Sequence, residues 1–520
     1  MLYASVIIAS SAFVCILIYI TAARCKSRTN APFLHSSKRK APTSLTLLSF
    51  YGYRKHSRFI MWTMTGILLA LLVGCGSPPP AATPTKSANA TPLPTANATP
   101  IVTPSQSTDW TTYHHDNART GYLPNMPDPH QFSRAWTQTL DGGVYAEPLV
   151  IGKQLIIATE GDSIYSFDAQ SGQQQWHTQV GTPVPRSALP CGDIDPTGIT
   201  GTPAYDPTSH MIFAVAEITG VSHILVGLDL STGKVQVRRT VDTPDMDPRT
   251  HQQRGALTLY QGMIYIPFGG RFGDCGDYHG RVIGAQTNGQ GNLISYTVPT
   301  TREGGIWATP GAVMDNAGHL FVSVGNGEVT QGQWDHTDSV LRLSPTLQLQ
   351  DGFAPQSWPQ DNASDADLGS MSPVLLSNGL IFMAGKSGQG YLLHSNALGG
   401  VGGQIQQMDV CHAYGGAATA DSQVFLPCTD GVRQVKIGPG ETMTVGWQAP
   451  QSVNGSPIIG GHTLYVVDHT NGVLYALDRD TGAVRTSIPV GTTSRFATPT
   501  LTNGLVFIGT LRGIVALKLA

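Results

Sequence analysis

The sequence predicts an all-β domain in the form of an eight-bladed β-propeller, and three observations support this fold class. From Arg134 onwards, apolar residues recur in short alternating runs bounded by Gly, Asn and Asp, which is typical of strands. A polar residue followed by Pro recurs along the chain, and each such step opens a unit of four strands. Residues 134–520 divided into eight units give about 48 residues each, which suits a propeller blade.

Six units open with the polar residue and Pro: Glu147-Pro148, Thr202-Pro203, Thr309-Pro310, Ser372-Pro373, Ser456-Pro457 and Thr498-Pro499. Two degenerate units, near Ala256 and Ala418, complete the eight. A seven-bladed ring would require one of these two to be a loop excursion. In the first unit, the strands that follow the opening are predicted at residues 155–158, 164–167 and 175–180.

The two ends of the domain are predicted to share one blade. The last unit stops after three strands, at residues 498–501, 505–509 and 514–519, while an unpaired strand at residues 135–140 precedes the first unit. We therefore expect the N-terminal strand to complete the last blade, which closes the ring.

The N-terminal 75 residues predict export and anchoring. Residues 2–23 are uncharged and long enough to cross a bilayer. Residues 59–73 follow Arg54, Lys55 and Arg58 and lead into Leu72-Val73-Gly74-Cys75, as in a secretory signal. That tetrapeptide resembles a bacterial lipoprotein box, which implies a lipid anchor on Cys75. Residues 1–50 are then either a transmembrane segment or an over-extended N-terminus.

Both alternatives place the remainder of the chain outside the cytoplasm, attached to the cell membrane. Residues 76–108 are rich in Pro, Thr and Ala and predict a semi-extended tether. The propeller is then residues 109–520. Residues 1–60 hold nine Lys/Arg and no Asp/Glu, so the rest of the chain has 31 − 9 = 22 basic against 34 acidic residues. This charge excludes nucleic acid as an expected partner.

Strand direction predicts which side chains share a face. The chain enters the first strand and leaves the second strand at the same end of a blade. Polar and aromatic residues at that end should therefore converge at the mouth of the central channel. These candidates are Glu217, Trp307, Asn326, Asp361 and Lys386, together with Gln252, Gln253 and Arg254.

Four cysteines follow Cys75, namely Cys191, Cys275, Cys411 and Cys428, and an exported chain favours disulfides. Three pairings are possible. We favour Cys191–Cys275 between neighbouring units and Cys411–Cys428 within one unit, both bracing the mouth. Free thiols are the alternative, and the absence of Cys-x-x-Cys makes metal binding by these residues less favourable.

Several motifs resemble quinoprotein β-propellers over roughly residues 109–520. Turns such as Asp168-Ala169-Gln170-Ser171-Gly172 match their repeat. Four further segments resemble the successive signatures of pyrroloquinoline-quinone (PQQ) alcohol dehydrogenases: Gly305-Ile306-Trp307, Val324-Gly325-Asn326-Gly327, Trp358-Pro359-Gln360-Asp361-Asn362 and Gly385-Lys386-Ser387-Gly388.

This resemblance implies PQQ and calcium as possible cofactors. Trp307 would stack on the quinone and Lys386 would face it. Glu217 and Asn326 would ligate calcium, and Asp361 would be the catalytic base on an alcohol.

The sequence also departs from the alcohol dehydrogenase pattern. Adjacent cysteines are absent, and a tight turn at residues 159–163 stands where those enzymes insert a cofactor-covering loop. Of the tryptophans that close their repeats, Trp176 and Trp447 remain. The pair His114-His115 is expected to face solvent rather than to bind metal.

Three functions follow from the sequence. The first is a surface binding or interaction module that takes an envelope or cell-surface protein, or a small ligand, at the channel mouth. The second is a PQQ- and calcium-dependent alcohol dehydrogenase. The third is a scaffold for envelope protein assembly, since eight-bladed lipoproteins resembling this chain help insert outer-membrane proteins.

Overall fold

A computed structural model describes residues 108–520, and it contains eight antiparallel sheets of four main strands each. The predicted eight-bladed β-propeller is therefore confirmed. Cys75, the signal and most of the tether lie outside the described residues. Within residues 108–520, no helix is long and apolar enough to span a bilayer.

Blades 1 to 4 follow the predicted order of strands along the chain. Their strands are, for blade 1, Leu149–Ile151, Gln154–Ala158, Ser163–Asp168 and Gln174–Gln179; for blade 2, Ala204–Asp206, Met211–Ile218, Ser222–Asp229 and Val235–Thr240; for blade 3, Thr258–Tyr260, Met263–Gly270, Arg281–Gln286 and Ile294–Thr297; for blade 4, Val313–Met314, Leu320–Val324, Ser339–Leu343 and Leu349–Ala354. The degenerate unit near Ala256 is thus a complete blade.

Blades 5 to 8 complete the ring. Their strands are, for blade 5, Val374–Leu375, Leu380–Ala384, Gln389–His394 and Gln406–Asp409; for blade 6, Ala418–Ala420, Gln423–Leu426, Arg433–Gly438 and Thr442–Gln448; for blade 7, Ile458–Gly460, Thr463–Asp468, Val473–Asp478 and Val484–Pro489; for blade 8, Thr500–Thr502, Leu505–Thr510, Gly513–Leu519 and Phe132–Thr139. The second degenerate unit, near Ala418, is blade 6.

The ring closes as predicted, because Phe132–Thr139 pairs antiparallel with Gly513–Leu519. This closing strand begins three residues earlier than expected. Its Trp136 donates a hydrogen bond to the Ala169 carbonyl of blade 1 at 3.1 Å. The N-terminal strand therefore completes blade 8 and also joins it to blade 1.

Six small elements lie outside the four-stranded pattern. Tyr122–Leu123 pairs parallel with the first strand of blade 7, and Gly400–Val401 pairs parallel with the fourth strand of blade 4. His251–Gln252 pairs with the second strand of blade 3. Short 3₁₀ turns occupy Arg186–Ala188 and Leu368–Ser370. An α-helix, Trp358–Ser364, precedes blade 5 and was not predicted, because seven residues are too few for a periodic pattern.

The hydrophobic core lies between adjacent blades. For example, Ile156 and Ile164 of blade 1 pack in one buried cluster with Ile212 and Val226 of blade 2. Each blade therefore contributes both of its faces to the core, as expected when sheets pack radially.

The channel is filled by residues 109–121, which we call the plug segment. It hydrogen-bonds to blades 1, 2, 3, 4, 6, 7 and 8. The expectation that His114 and His115 face solvent is wrong, since both are buried. His114 contacts the Ala417 carbonyl and Thr498 Oγ1, each at 3.1 Å, because the plug segment must satisfy its polar groups inside the ring.

Both predicted disulfides are present. Cys191–Cys275 connects the segment between blades 1 and 2 to a loop of blade 3. Cys411–Cys428 joins the segment entering blade 6 to the end of its second strand. Each bond therefore cross-links loops on the face where strands 1 begin and strands 2 end, which is the predicted mouth.

Candidate binding site at the channel mouth

Three of the predicted site residues lie around one further residue, Asp367. The Lys386 ammonium lies 2.6 Å from Asp367 Oδ2 and 2.5 Å from Asp365 Oδ1. The Asn326 backbone N–H donates to Asp367 Oδ1. Lys386 Nζ also lies 5.7 Å from the centroid of the Trp307 ring. Trp307, Asn326 and Lys386 thus form one cluster.

Asp367 was missed by the sequence analysis, as was the neighbouring Asp338. Both carboxyl groups are buried, and burial raises the pKa of each. Asp338 accepts the Leu368 N–H at 3.0 Å. Asp367 could have been found in the sequence from its position in the segment that enters blade 5, which also contains Asp361.

Asp361 lies outside the contacts of that cluster, on the Trp358–Ser364 helix, although its charge acts on the neighbouring Asp338. Its side chain is 9% exposed and accepts a hydrogen bond from Ser357 Oγ at 2.7 Å. Burial raises the pKa of this carboxyl group. Within the described residues, its side chain forms no hydrogen bond to Trp307, Asn326 or Lys386. Its role as a catalytic base stays a prediction.

Glu217 is also separate, because it is neutralised by a buried arginine from the next blade. Its carboxylate accepts a hydrogen bond from Arg271, which also donates to the Arg249 carbonyl at 2.7 Å. His223 Nε2 lies 3.7 Å from the same carboxylate, and His223 Nδ1 lies 2.7 Å from Asp242 Oδ1. The sequence analysis missed Arg271, although it directly follows a second strand, as Asn326 nearly does.

The residues present do not fit a calcium ion with PQQ. The Arg271 guanidinium holds the Glu217 carboxylate that would ligate calcium. Among residues 108–520, no group of three or more His, Cys, Asp or Glu side chains is arranged to hold a metal ion. Lys386 lies over the Trp307 ring face, where a quinone would have to stack.

A different set of side chains forms the most distinctive feature of the mouth. The position two residues before each polar-residue-and-Pro step, or its degenerate equivalent, lies at the mouth end of its blade, on the rim of the channel, although Thr200 and Ser370 are buried there. In blade order the eight residues are Tyr145, Thr200, Arg254, Trp307, Ser370, Tyr414, Asn454 and Phe496. The register of the repeat was the signal that could have found them. Of the predicted candidates Gln252, Gln253 and Arg254, the two glutamines are buried and Arg254 reaches this rim.

The aromatic and basic members of this rim contact one another around Phe496. Arg254 Cζ lies 4.7 Å from the Phe496 centroid and 5.9 Å from the Tyr145 centroid. Arg495 Cζ lies 4.3 Å from the Tyr414 centroid and 5.6 Å from that of Phe496. Trp307 packs edge-on against Phe496 at 6.4 Å.

We call Tyr145, Arg254, Trp307, Tyr414, Arg495 and Phe496 the rim cluster. All six are partly or fully exposed. The plug segment lies next to them. The Tyr113 hydroxyl contacts Thr309 Oγ1 at 3.5 Å and also lies against Gly416. Thr309 and Gly416 each follow a rim residue, Trp307 or Tyr414, by two positions. The plug segment therefore closes the channel beneath the rim cluster.

The fold defines the class of protein as a PQQ-like, quinoprotein-type β-propeller. A family model described as outer membrane protein assembly factor BamB matches residues 133–268. No curated protein sequence matches the chain significantly.

Solved structures give the same fold at low sequence identity. A quinohemoprotein alcohol dehydrogenase from Comamonas testosteroni is 15% identical, with a TM-score of 0.63 over 80% of this chain and 81% of that one. A europium-containing methanol dehydrogenase is 14% identical, with a TM-score of 0.62 over 79% of this chain and 98% of the other. BamB from Moraxella catarrhalis is 14% identical, with a TM-score of 0.52 over 75% of this chain and 100% of that one. At these identities the likeness establishes the fold alone.

Proposed function

We propose that this protein is a non-catalytic binding module that recognises a protein partner at the rim cluster. The observation that carries the proposal is the pair of arginines stacked on aromatic rings, the partly exposed Arg254 and the exposed Arg495, which hold no ion pair within residues 108–520. The side chains needed for quinone chemistry are instead engaged by other residues: Arg271 holds Glu217, and Asp365 and Asp367 hold Lys386. Arg, Tyr and Trp are the residue types most enriched among energetically dominant interface contacts.

The proposal places this module outside the cytoplasm, attached to the membrane through Cys75. The support is the sequence pattern that ends in Leu72-Val73-Gly74-Cys75. Cys75→Ser should move the protein from the membrane fraction to the soluble extracellular or periplasmic fraction. Mass spectrometry of the N-terminal peptide should detect a lipid on Cys75 in the unaltered protein only.

The binding role is tested by site-specific photo-crosslinking in cells. A photoreactive residue at Tyr414, in the rim cluster, should capture a discrete partner. The matched control is Val484, which is 47% exposed on an outer strand of blade 7. Equal products at both positions, or none at Tyr414, would contradict a partner site at the mouth.

The enzyme alternative is tested separately with the full chain purified from membranes. We expect no uptake of PQQ with calcium at micromolar concentration and no dye reduction with alcohols. Arg271 would have to leave Glu217 for calcium to bind there, and Lys386 would have to leave the Trp307 face. Cofactor-like absorbance together with alcohol-dependent dye reduction would replace the binding proposal by the dehydrogenase.

A second candidate is a scaffold for envelope protein assembly, and the family match over residues 133–268 favours it. It differs from the first proposal in the partner and in the surface used. Pull-down from membranes should then recover assembly proteins through the acidic propeller surface. Recovery that is insensitive to substitutions in the rim cluster would favour this scaffold.

A further inference from the structure

The rim cluster holds two guanidinium groups whose N–H groups have no hydrogen-bond partner among residues 108–520. Arg254 lies over the rings of Tyr145 and Phe496, and Arg495 lies over the rings of Tyr414 and Phe496. Stacking on aromatic rings fixes a guanidinium in place while its N–H groups stay available for hydrogen bonding. Neither side chain donates a hydrogen bond or forms an ion pair within residues 108–520.

Most other arginines of the domain are engaged with acceptors. Arg271, Arg281, Arg302, Arg433, Arg479 and Arg485 all form ion pairs with Asp or Glu. Arg119 bonds to backbone carbonyls of blades 3 and 4. Burial lowers the pKa of the Arg254 guanidinium, and Glu160 and Asp193 offset part of this effect from longer range.

The volume of a cleft at the mouth limits the size of the group that can enter it. A cleft beside Arg495 is lined by Thr429, Asn454 and His469 among others and has a volume of about 20 Å³. That volume holds about one water-sized group, whereas small-molecule sites typically enclose roughly 300–1,000 Å³. This cleft, which Arg495 lines and Arg254 does not, therefore has room for only one small group of a larger partner.

The N-terminal part of the chain cannot supply a carboxylate side chain to the two arginines. Residues 1–108 contain no Asp and no Glu. The tether that leads to the propeller thus has no carboxylate side chain to place between the two arginines.

We propose that the rim cluster binds a carboxylate-bearing, acidic segment of a partner protein between Arg254 and Arg495. Planar guanidinium groups match carboxylates with two parallel hydrogen bonds, and the surrounding rings supply apolar contact area. This inference rests on the proposed function and specifies the chemistry of its partner.

The experiment measures binding of a fluorescein-labelled hexaglutamate peptide to the full chain by anisotropy, with hexaglutamine as the uncharged probe. We expect hexaglutamate to bind at least tenfold more tightly. Arg254→Gln and Arg495→Gln should each weaken it at least fivefold. Arg512→Gln is the matched control, because Arg512 is an exposed arginine on the same face, outside the rim cluster, and should change binding less than twofold.

Equal weakening by Arg512→Gln would reduce the effect to general electrostatics and overturn the inference, as would unchanged binding in both rim variants. Displacement of the peptide by inorganic phosphate at micromolar concentration would point to a small anion instead and also overturn it. Sedimentation that shows rim-dependent self-association would identify a second copy as the occupant.

The two proposals fail differently. If the Tyr414 crosslink persists in the Arg254→Gln/Arg495→Gln variant, the mouth binds a partner without using its arginines. The carboxylate inference then fails while the proposed function stands.

Discussion

Two buried carboxyl groups, Glu160 and Asp162, lie in the tight turn between the second and third strands of blade 1. Glu160 accepts hydrogen bonds from the Gly198 N–H at 2.7 Å and from Thr200 Oγ1 at 3.1 Å. Within the described residues, neither side-chain oxygen of Asp162 has a hydrogen-bond partner. Burial raises the pKa of Glu160 to about 7 and that of Asp162 to about 8.

These shifts predict that the free energy of unfolding falls as pH rises from about 4 to about 8. Between the unfolded and folded pKa values, the folded protein binds more protons than the unfolded chain, so raising the pH favours unfolding. Despite its burial, His223 is raised to a pKa of about 9 by its hydrogen bond to Asp242 and by the nearby Glu217 carboxylate. It contributes a slope of the same sign between about pH 6.5 and pH 9.

Asp162→Asn should flatten this slope without abolishing it. Between pH 5 and pH 9, urea denaturation should show the variant gaining about 1–3 kcal/mol relative to wild type, because it carries no buried charge to desolvate. Asp168→Asn is the control, since hydrogen bonds from Ser171 lower the pKa of this exposed carboxyl group. A parallel loss of slope in both variants would refute the role assigned to Asp162.

At the scale of the elements, tryptophans on fourth strands join one blade to the next. Trp136, Trp176 and Trp447 each donate a hydrogen bond to a carbonyl in a turn of the following blade, at 3.1, 2.9 and 2.9 Å. Each ring also lies against the glycine of that turn, which is Gly172, Gly233 or Gly482. The Asp-to-Gly turns therefore serve as docking sites between blades as well as chain reversals.

Gly482→Ala should destabilise the domain more than Gly440→Ala. Both glycines lie in turns between third and fourth strands and have nearly the same φ, 72° and 73°. A Cβ at Gly482 would lie 2.4 Å from the Trp447 ring, whereas nothing lies within 4 Å of one at Gly440. We expect a loss of about 1 kcal/mol at Gly440 from backbone strain alone. At Gly482 we expect about 1–3 kcal/mol more, from displacement of Trp447.

Thermal and urea unfolding of the two variants measure this difference. Equal destabilisation would mean that Trp447 moves away at no cost and that blade contacts at this position are loose.

The strands could be predicted because the sequence pattern that indicates them is local. The side-chain pairing at the mouth could not be predicted in this way. Alternation and the Pro steps located all eight blades, including the degenerate ones at Ala256 and Ala418. The short helix carrying Asp361 escaped, since its seven residues span only two turns. Arg271 and Asp367 escaped for another reason, because pairing between different segments, such as Arg271 with Glu217, leaves no local pattern.

At the scale of the whole molecule, the ring brings equivalent positions of the eight repeats together on one surface, the channel mouth. The direction of the strands predicted correctly that Trp307, Asn326 and Lys386 come together. It did not distinguish side chains that point to the rim from those engaged between blades, such as Glu217. That choice depends on side-chain pairing with a neighbouring blade, which the repeat does not encode.

Ring closure should make the two chain ends stabilise each other, and a pair of matched tryptophans tests this. Trp136 lies in the closing strand and Trp447 in blade 6, and both are partly buried with the same type of docking contact. Trp136→Ala and Trp447→Ala should each destabilise the domain by about 3 kcal/mol through lost packing.

Their effects on hydrogen exchange should nevertheless differ. Trp136→Ala weakens the pairing of Phe132–Thr139 with Gly513–Leu519, so amides of both segments and of Leu505–Thr510 should lose protection together. In Trp447→Ala those amides should keep near-wild-type protection, while blades 6 and 7 exchange faster. If both variants lose protection evenly around the ring, the blades unfold as one unit irrespective of where the ring is weakened. The closing strand would then have no special role in holding the propeller together.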